Sequence, residues 1–376
     1  MASFHLSLTS RYSNIMPKVA VITEPHAPVE IREVAPPELE RDSALLDVEC
    51  SEVCGTDVYL HRGGLDGVPY PLVPGHVSVG RLSKIRGQLS DVEGRPFREG
   101  DRVTFLDVHR TCNACWYCLV AKASTRCPHR KVYGITYGLE DGLCGGWAEQ
   151  IYLKPGTHCI HVDTDAETFI AGGCALPTAL HAVERAEIRL GDNVLVLGSG
   201  PVGIASIILA LMRGALRVFC IGAPSDRLEC AKSAGAFSTL NFLEHDAAQQ
   251  LDWVRENTDG RGADVSIEAT GAPEAVVVAM RCTRDAGRVA VVGQYTDHGS
   301  VTLNPHSDLN KKHLDIRGVW GSDFSHFFRG VKLICDPQRS DVWRAMKTRT
   351  YNLSQANEAL ADVAAGRVLK ALMKPK

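Results

Sequence analysis

Asn193-Val194-Leu195-Val196-Leu197 runs directly into Gly198-Ser199-Gly200-Pro201-Val202-Gly203, and an apolar stretch then continues to Met212. The first five residues read as a buried strand, and Val202 to Arg213 reads as a helix. A G-x-G-x-x-G turn joining a strand to a helix is the context a dinucleotide-binding fingerprint requires. Gly198 makes the tight turn, Gly200 lets backbone approach a pyrophosphate, and Gly203 permits close helix–strand packing. Ser199, Pro201 and Val202 complete the loop, whose helix N-terminus offers amide donors to an anion. Residues 194 to 212 carry no charge, but the Gly-Pro interruption makes a strand and a buried helix the better reading than a membrane span.

Outward from this turn, the same alternation continues. Arg217 to Ile221 reads as a strand and Ser225 to Ala234 as a helix; Ala263 to Glu268, Pro273 to Arg281 and Arg288 to Val292 repeat the pattern. Such spacing predicts a doubly wound parallel sheet with right-handed crossovers, a Rossmann-type α/β domain. Before about residue 165 the texture differs. Short Val- and Ile-rich runs at 19–22, 44–48, 77–79 and 102–105, punctuated by Gly and Pro, predict a β domain with long loops. After 310, one strand and a terminal helix over Leu353 to Ala365 are expected.

An NAD site ordinarily ends its second strand in an acid that holds the ribose 2′-OH. Here that strand runs into Gly222-Ala223-Pro224-Ser225, without a carboxylate. The repulsion that excludes a 2′-phosphate is therefore missing, and Arg227 lies nearby to pair with one. NADP is favoured over NAD by this margin, and NAD stays open.

The chain has 376 residues, 13 of them cysteine, and a net charge of −3. That charge excludes the basic footprint of a nucleic-acid binder. A chain of this length needs no disulfide staples, so clustered thiols read as metal ligands in a reducing, cytoplasmic compartment. Cys112, Cys115, Cys118 and Cys127 fall within one short loop, and four thiolates close a tetrahedral shell of the structural-zinc kind. A second set is scattered through Cys54-Gly55-Thr56-Asp57, Gly75-His76 and Cys174. Three mixed S and N donors with an open fourth position are what a catalytic zinc requires.

Together with Gly100-Asp101-Arg102-Val103 and Gly145-Gly146-Trp147-Ala148-Glu149, these motifs resemble those of the zinc-dependent medium-chain alcohol dehydrogenase/reductase family. The resemblance runs from about residue 17 to the C-terminus. It implies a GroES-like β domain over 17–170 and 310–376, with a Rossmann domain over 171–309 inserted; residues 1–16 are expected to be a disordered extension. It implies two zinc ions per chain. Cys54, His76 and Cys174 would hold the catalytic ion, and Cys112, Cys115, Cys118 and Cys127 the structural one. Thr56 would take the substrate hydroxyl proton and Asp57 would orient His76. Gly198 to Gly203, Gly222 and Arg227 would receive the cofactor. The implied partners are a small-molecule substrate and further copies of the chain, as a homodimer or homotetramer, with no nucleic acid and no membrane.

The expected reaction is hydride transfer between NAD(P) and a secondary alcohol, polyol or sugar-like substrate. The alternatives are an NADPH-dependent reductase of an activated C=C or C=N bond and a non-enzymatic nucleotide-binding protein of crystallin type. Three departures from the family pattern bear on this choice. Val77 replaces the Glu that usually follows the ligand histidine, and Tyr59 occupies the position of a relay histidine, so His61 or solvent becomes the expected proton exit. The last gap of the four-cysteine loop is one residue longer than usual. Phe105, Asp107, His109, Arg110, Trp116 and Tyr133 fall where the family lines its substrate pocket.

Overall fold

The computed structural model describes residues 16–376, so the expected extension, apart from Met16, lies outside the described residues. The stretch that opens the sequence reading forms the strand Asn193–Leu197 and the helix Pro201–Met212, with Pro201 in the first turn. Pro at that position gives up an N–H that has no intrahelical partner anyway. Ile204, Ile207, Ile208 and Leu209 are buried against the sheet, each contributing about 1.5–3 kcal/mol by burial. A Cβ at Gly203 would come within 1.8 Å of the Gly198 carbonyl oxygen, so only glycine lets this helix lie so close to its own turn.

Six strands form the parallel sheet, in the order Ser238–Asn241, Arg217–Gly222, Asn193–Leu197, Ala263–Glu268, Thr283–Val291, Asp315–Gly318. Numbered along the chain this is 3-2-1-4-5-6, with the strand order reversing between Asn193–Leu197 and Ala263–Glu268. A ligand crevice opens at the C-terminal strand ends at such a point. The sixth strand lies beyond residue 309, where the sequence reading closes this domain. Parallel pairing of Ile316 with Val289 and of Gly318 with Val291 carries the sheet further.

The β domain is built around the long strand Ser43–Val53. It pairs antiparallel with Ser78–Arg86, Gln150–Leu153 and Lys370–Met373. The returning chain therefore ends in a strand of this sheet, and the expected terminal helix is shorter, Ala356–Ala364 after a single 3₁₀ turn. A further helix, Phe324–Cys335, starts at Asp323, whose carboxylate accepts from the Ser325 and His326 amides, and buries Phe327, Val331 and Ile334. Among the described residues no helix is long and apolar enough to cross a membrane.

Candidate active site and metal centres

Antiparallel neighbours place the end of one strand beside the start of the next. Ser43–Val53 runs into Cys54, and His76 precedes Ser78–Arg86, with Ser51 opposite Ser78. The two ligand candidates are thus delivered to one spot by sheet register. Cys174 arrives from the other side, at the junction of helices Ala166–Gly172 and Ala175–Arg185. The ligand atoms of Cys54, His76 and Cys174 all lie within 4.8 Å of one another, and Cys54 Sγ is 3.8 Å from His76 Nε2.

Their electrostatics show a site short of positive charge. The Cys174 thiol bonded to Cys54 holds Cys54 well below the ordinary thiol range, in spite of burial, and the same bond raises Cys174. Burial opposes a charged His76 ring, yet the Cys54 thiolate beside it pushes His76 up to about 10. His76 Nδ1 is buried without a hydrogen-bond partner. Two thiols and an imidazole competing for protons at this spacing fit a divalent, thiophilic cation such as zinc.

Asp57 is fully buried, but it does not orient the His76 ring as expected: Nδ1 is 4.0 Å from its Oδ1, beyond hydrogen-bonding distance. Its carboxylate instead accepts the Cys54 N–H at 2.9 Å and the Gly75 N–H at 3.3 Å. Asp57 therefore ties together the two backbone segments that carry Cys54 and His76.

These residues open into a cleft of about 410 Å³ between the two domains. Thr56 lines it together with the Tyr295 phenol, whose burial pushes it up to about 12. The Tyr295 ring stacks on Trp320 with centroids 5.7 Å apart, and the Arg130 guanidinium lies over Trp320 at 5.0 Å. Phe105 and Asp107 line this cleft as expected, but the other four residues expected there do not. His109 and Arg110 face a separate cleft, Trp116 is exposed on the cysteine loop, and Tyr133 is buried with its hydroxyl 2.8 Å from Thr157 Oγ1. Arg130, Tyr295 and Trp320 went unread because their elements converge only in the fold; a pair of aromatic residues just after two sheet strands was the available signal.

Tyr59, one helical turn past Thr56, donates to or accepts from His298 Nε2 at 2.9 Å. His61 is turned away, with Nε2 bonded to the Ala27 carbonyl at 2.9 Å, which removes it as a proton exit.

On the nucleotide side, Pro201 and Val202 reach the cleft. Ser199 Oγ donates to the Ala223 carbonyl at 3.0 Å, and a Cβ at Gly222 would sit 2.5 Å from that Oγ. A carboxylate at 222 is thus excluded by packing as well as absent. Arg227 also lines this cleft, and one of its terminal nitrogens donates to the carbonyls of Gly366 and Val368, each at 2.9 Å.

In the loop, the four sulfurs of Cys112, Cys115, Cys118 and Cys127 also lie within 4.8 Å of one another. The Cys115 amide donates to Cys112 Sγ at 3.3 Å and the Cys112 amide to Cys127 Sγ at 3.4 Å, the pattern that stabilises thiolates. The long last gap is taken up by the 3₁₀ turn Ser124–Arg126.

A dinucleotide-type sheet of this order, set against a β domain with a Cys-His-Cys cluster in the shared cleft, defines a zinc-binding dehydrogenase. The family models agree: a zinc-binding dehydrogenase model matches residues 201–335, and an alcohol dehydrogenase GroES-like domain model matches 40–164. The chain belongs to the zinc-dependent medium-chain alcohol dehydrogenase family, and it is an NAD(P)-dependent oxidoreductase. It is 30% identical over 321 residues to erythritol/L-threitol dehydrogenase of Mycolicibacterium smegmatis, covering 82% of this chain and 84% of that one. It is 29% identical to 5-exo-hydroxycamphor dehydrogenase of Pseudomonas putida, covering 87% and 90%. The crystal structure of an alcohol dehydrogenase from Thermotoga maritima superposes with a TM-score of 0.91 at 30% identity, covering 96% of this chain and all of that one.

Proposed function

We propose that the enzyme interconverts a secondary alcohol, polyol or sugar-like substrate and its ketone, with a catalytic metal held by Cys54, His76 and Cys174. The observation that carries this is the three-donor cluster opening onto the same cleft as Thr56 and the nucleotide-binding turn. Bound there, zinc would supply Lewis-acid activation of the alcohol oxygen, and a nicotinamide cofactor would supply the hydride acceptor. Thr56 takes the hydroxyl proton as it passes its own on toward the cofactor ribose and solvent. Tyr295 lies beside Thr56 in the cleft, and Tyr59, which also lines it, conducts the proton outward with the exposed His298. Asp107 and Arg130 present both charges to the cleft, which suits a hydroxylated substrate better than a purely apolar one.

The second metal would be structural, closed off by Cys112, Cys115, Cys118 and Cys127. NADP should bind at least as well as NAD, on the support of Gly222; Arg227, docked on the carbonyls of residues 366 and 368, adds less than its place in the sequence suggests. Trp116, Tyr117, Leu119 and Val120 form an exposed apolar surface on the cysteine loop, which supports self-association as a dimer or tetramer. All 13 cysteines are free, in keeping with a cytoplasmic location. The test is turnover of both cofactors across a panel of polyols, secondary alcohols, ketones, activated alkenes and imines. Turnover of alkenes or imines alone would install the C=C or C=N reductase instead.

A further inference from the structure

Glu52 and Lys370 form an ion pair with both side chains almost wholly buried, 2% and 1% exposed. They are 318 positions apart and meet because Lys370–Met373 pairs with Ser43–Val53, Leu372 standing opposite Glu52. A buried pair is weak evidence for stability, since desolvation offsets most of its attraction. The rest of the Glu52 carboxylate's bonds point to another use. Oε2 accepts the Cys174 N–H at 2.7 Å, and Oε1 lies 3.2 Å from Cys174 Sγ. Backbone bonds fix Glu52 on both sides, from its N–H to the Val77 carbonyl at 2.9 Å and from Trp147 Nε1 to its own carbonyl at 3.0 Å.

The neighbouring chain is shaped around this carboxylate. Gly173 has φ +45, and a Cβ there would lie 2.1 Å from Glu52 Oε2 and 2.6 Å from Lys370 Nζ. The residue before the candidate ligand is thus bare to admit the pair. At the position after His76, Val77 offers no side-chain oxygen.

We propose that Glu52, held in place by Lys370, is the positioning carboxylate of the catalytic metal centre, setting the Cys174 sulfur on its ligand point through the Cys174 amide. The role rests on the assignment of Cys174 as a metal ligand. Lys370 has its own part in this. A Cys174 thiolate 3.2 Å from a lone carboxylate would be strongly repelled; the ammonium offsets the carboxylate's charge and leaves its hydrogen-bonding geometry intact. Partners of this kind ordinarily alter metal affinity by about 10–100-fold.

The experiment measures zinc retention against a competing chelator, with the four-cysteine loop as an internal reference, and the sulfur-to-cobalt charge-transfer band of the cobalt-substituted protein. Glu52→Leu/Lys370→Met removes the charges and the anchor together, while Glu52→Gln/Lys370→Met removes the charges and keeps an amide oxygen for the Cys174 N–H. The first variant should bind the catalytic zinc about 10–100-fold more weakly, with a displaced charge-transfer band. The second should stay within about threefold of wild type. Equal retention by the two double variants, whether high or low, overturns the proposal. If they do not fold, Glu52→Asp keeps the charge pair and shortens the reach; unchanged retention in that variant overturns it equally. Cys174→Ser is the separate control. If it keeps both metals, the ligand assignment itself fails; if it loses one while the Leu/Met variant keeps two, only the role of Glu52 fails.

Discussion

Thr56→Val removes the hydroxyl that faces the cleft and keeps a β-branched side chain of nearly the same shape. Two losses follow, and their sizes differ. The polar contact with the neighbouring Tyr295 phenol disappears, which costs no more than a neutral hydrogen bond, about 0.5–1.5 kcal/mol, at most about a tenfold effect. The positioned proton acceptor also disappears, and such groups supply about 10²–10⁴-fold in rate. Tyr295→Phe separates the two: it removes the same contact but leaves the Thr56 hydroxyl in the cleft. The expected result is a kcat lowered at least about 10²-fold by Thr56→Val and no more than about tenfold by Tyr295→Phe. The assay is steady-state turnover of the best substrate at saturating cofactor, with metal content and cofactor affinity checked by zinc analysis and fluorescence titration. If both variants lose the same modest factor with metal and cofactor still bound, Thr56 does no more than hold Tyr295, and the proton leaves by another route.

Tyr59→Phe and His298→Ala should each slow turnover by roughly tenfold, because water takes over a relay it did not conduct before, and the double variant should be no slower. Additive losses in the double variant would mean that the two residues act separately. Mild chelation should strip the Cys54-His76-Cys174 metal first, with activity falling before the thermal transition moves; Cys112→Ser should instead yield an unstable protein, as closed thiolate shells contribute folding energy directly. Fluorescence titration of both reduced cofactors should find NADPH at least as tightly bound as NADH; a strong preference for NADH would contradict the reading of Gly222. Asp323→Ala should cost about 0.5–2 kcal/mol in urea unfolding near neutral pH. The bond to His326 holds the Asp323 carboxyl well below its usual range, so its contribution is present above an unfolded pKa of about 3.9 and fades as pH falls below it. The gap between variant and wild type should therefore narrow in acid.

The nucleotide-binding half was legible in the sequence because its evidence is local. A strand, a glycine turn and a helix occupy twenty consecutive residues, 193–212, and the period of the apolar residues changes within them. The four-cysteine loop was legible for the same reason. Cys54 and His76 could be paired only through the family resemblance, although sheet register explains the meeting. Glu52 and Lys370 left a fainter trace: each is a charge at the end of a mostly apolar strand, in Cys50-Ser51-Glu52-Val53 and Leu369-Lys370-Ala371-Leu372. A buried charge says that a partner exists and not where it lies. The pocket residues were misplaced where loops decide. Trp116 opens the one-turn helix Trp116–Leu119 and Tyr133 follows the two-residue strand Lys131–Val132, elements too short for any periodicity to reveal, so one ended in solvent and the other in the core. Arg227 shows the remaining gap, for its position beside Gly222 suggested a phosphate, while the folded chain brings carbonyls to it from 139 and 141 residues away.

The strand that brings Lys370 to Glu52 follows the entire nucleotide-binding domain along the chain. Synthesis therefore sets an order. The β domain is made first, but the sheet cannot close, and Glu52 cannot be buried without the cost of several kcal/mol for an unpaired charge, until the inserted domain has been completed. The inserted domain acts as a timer on the other. A substitution that slows folding of the parallel sheet should leave newborn chains with an open sheet edge and an unfinished metal centre. Damage far from the cleft would then appear in the cell as poor metal loading and aggregation rather than as slow turnover.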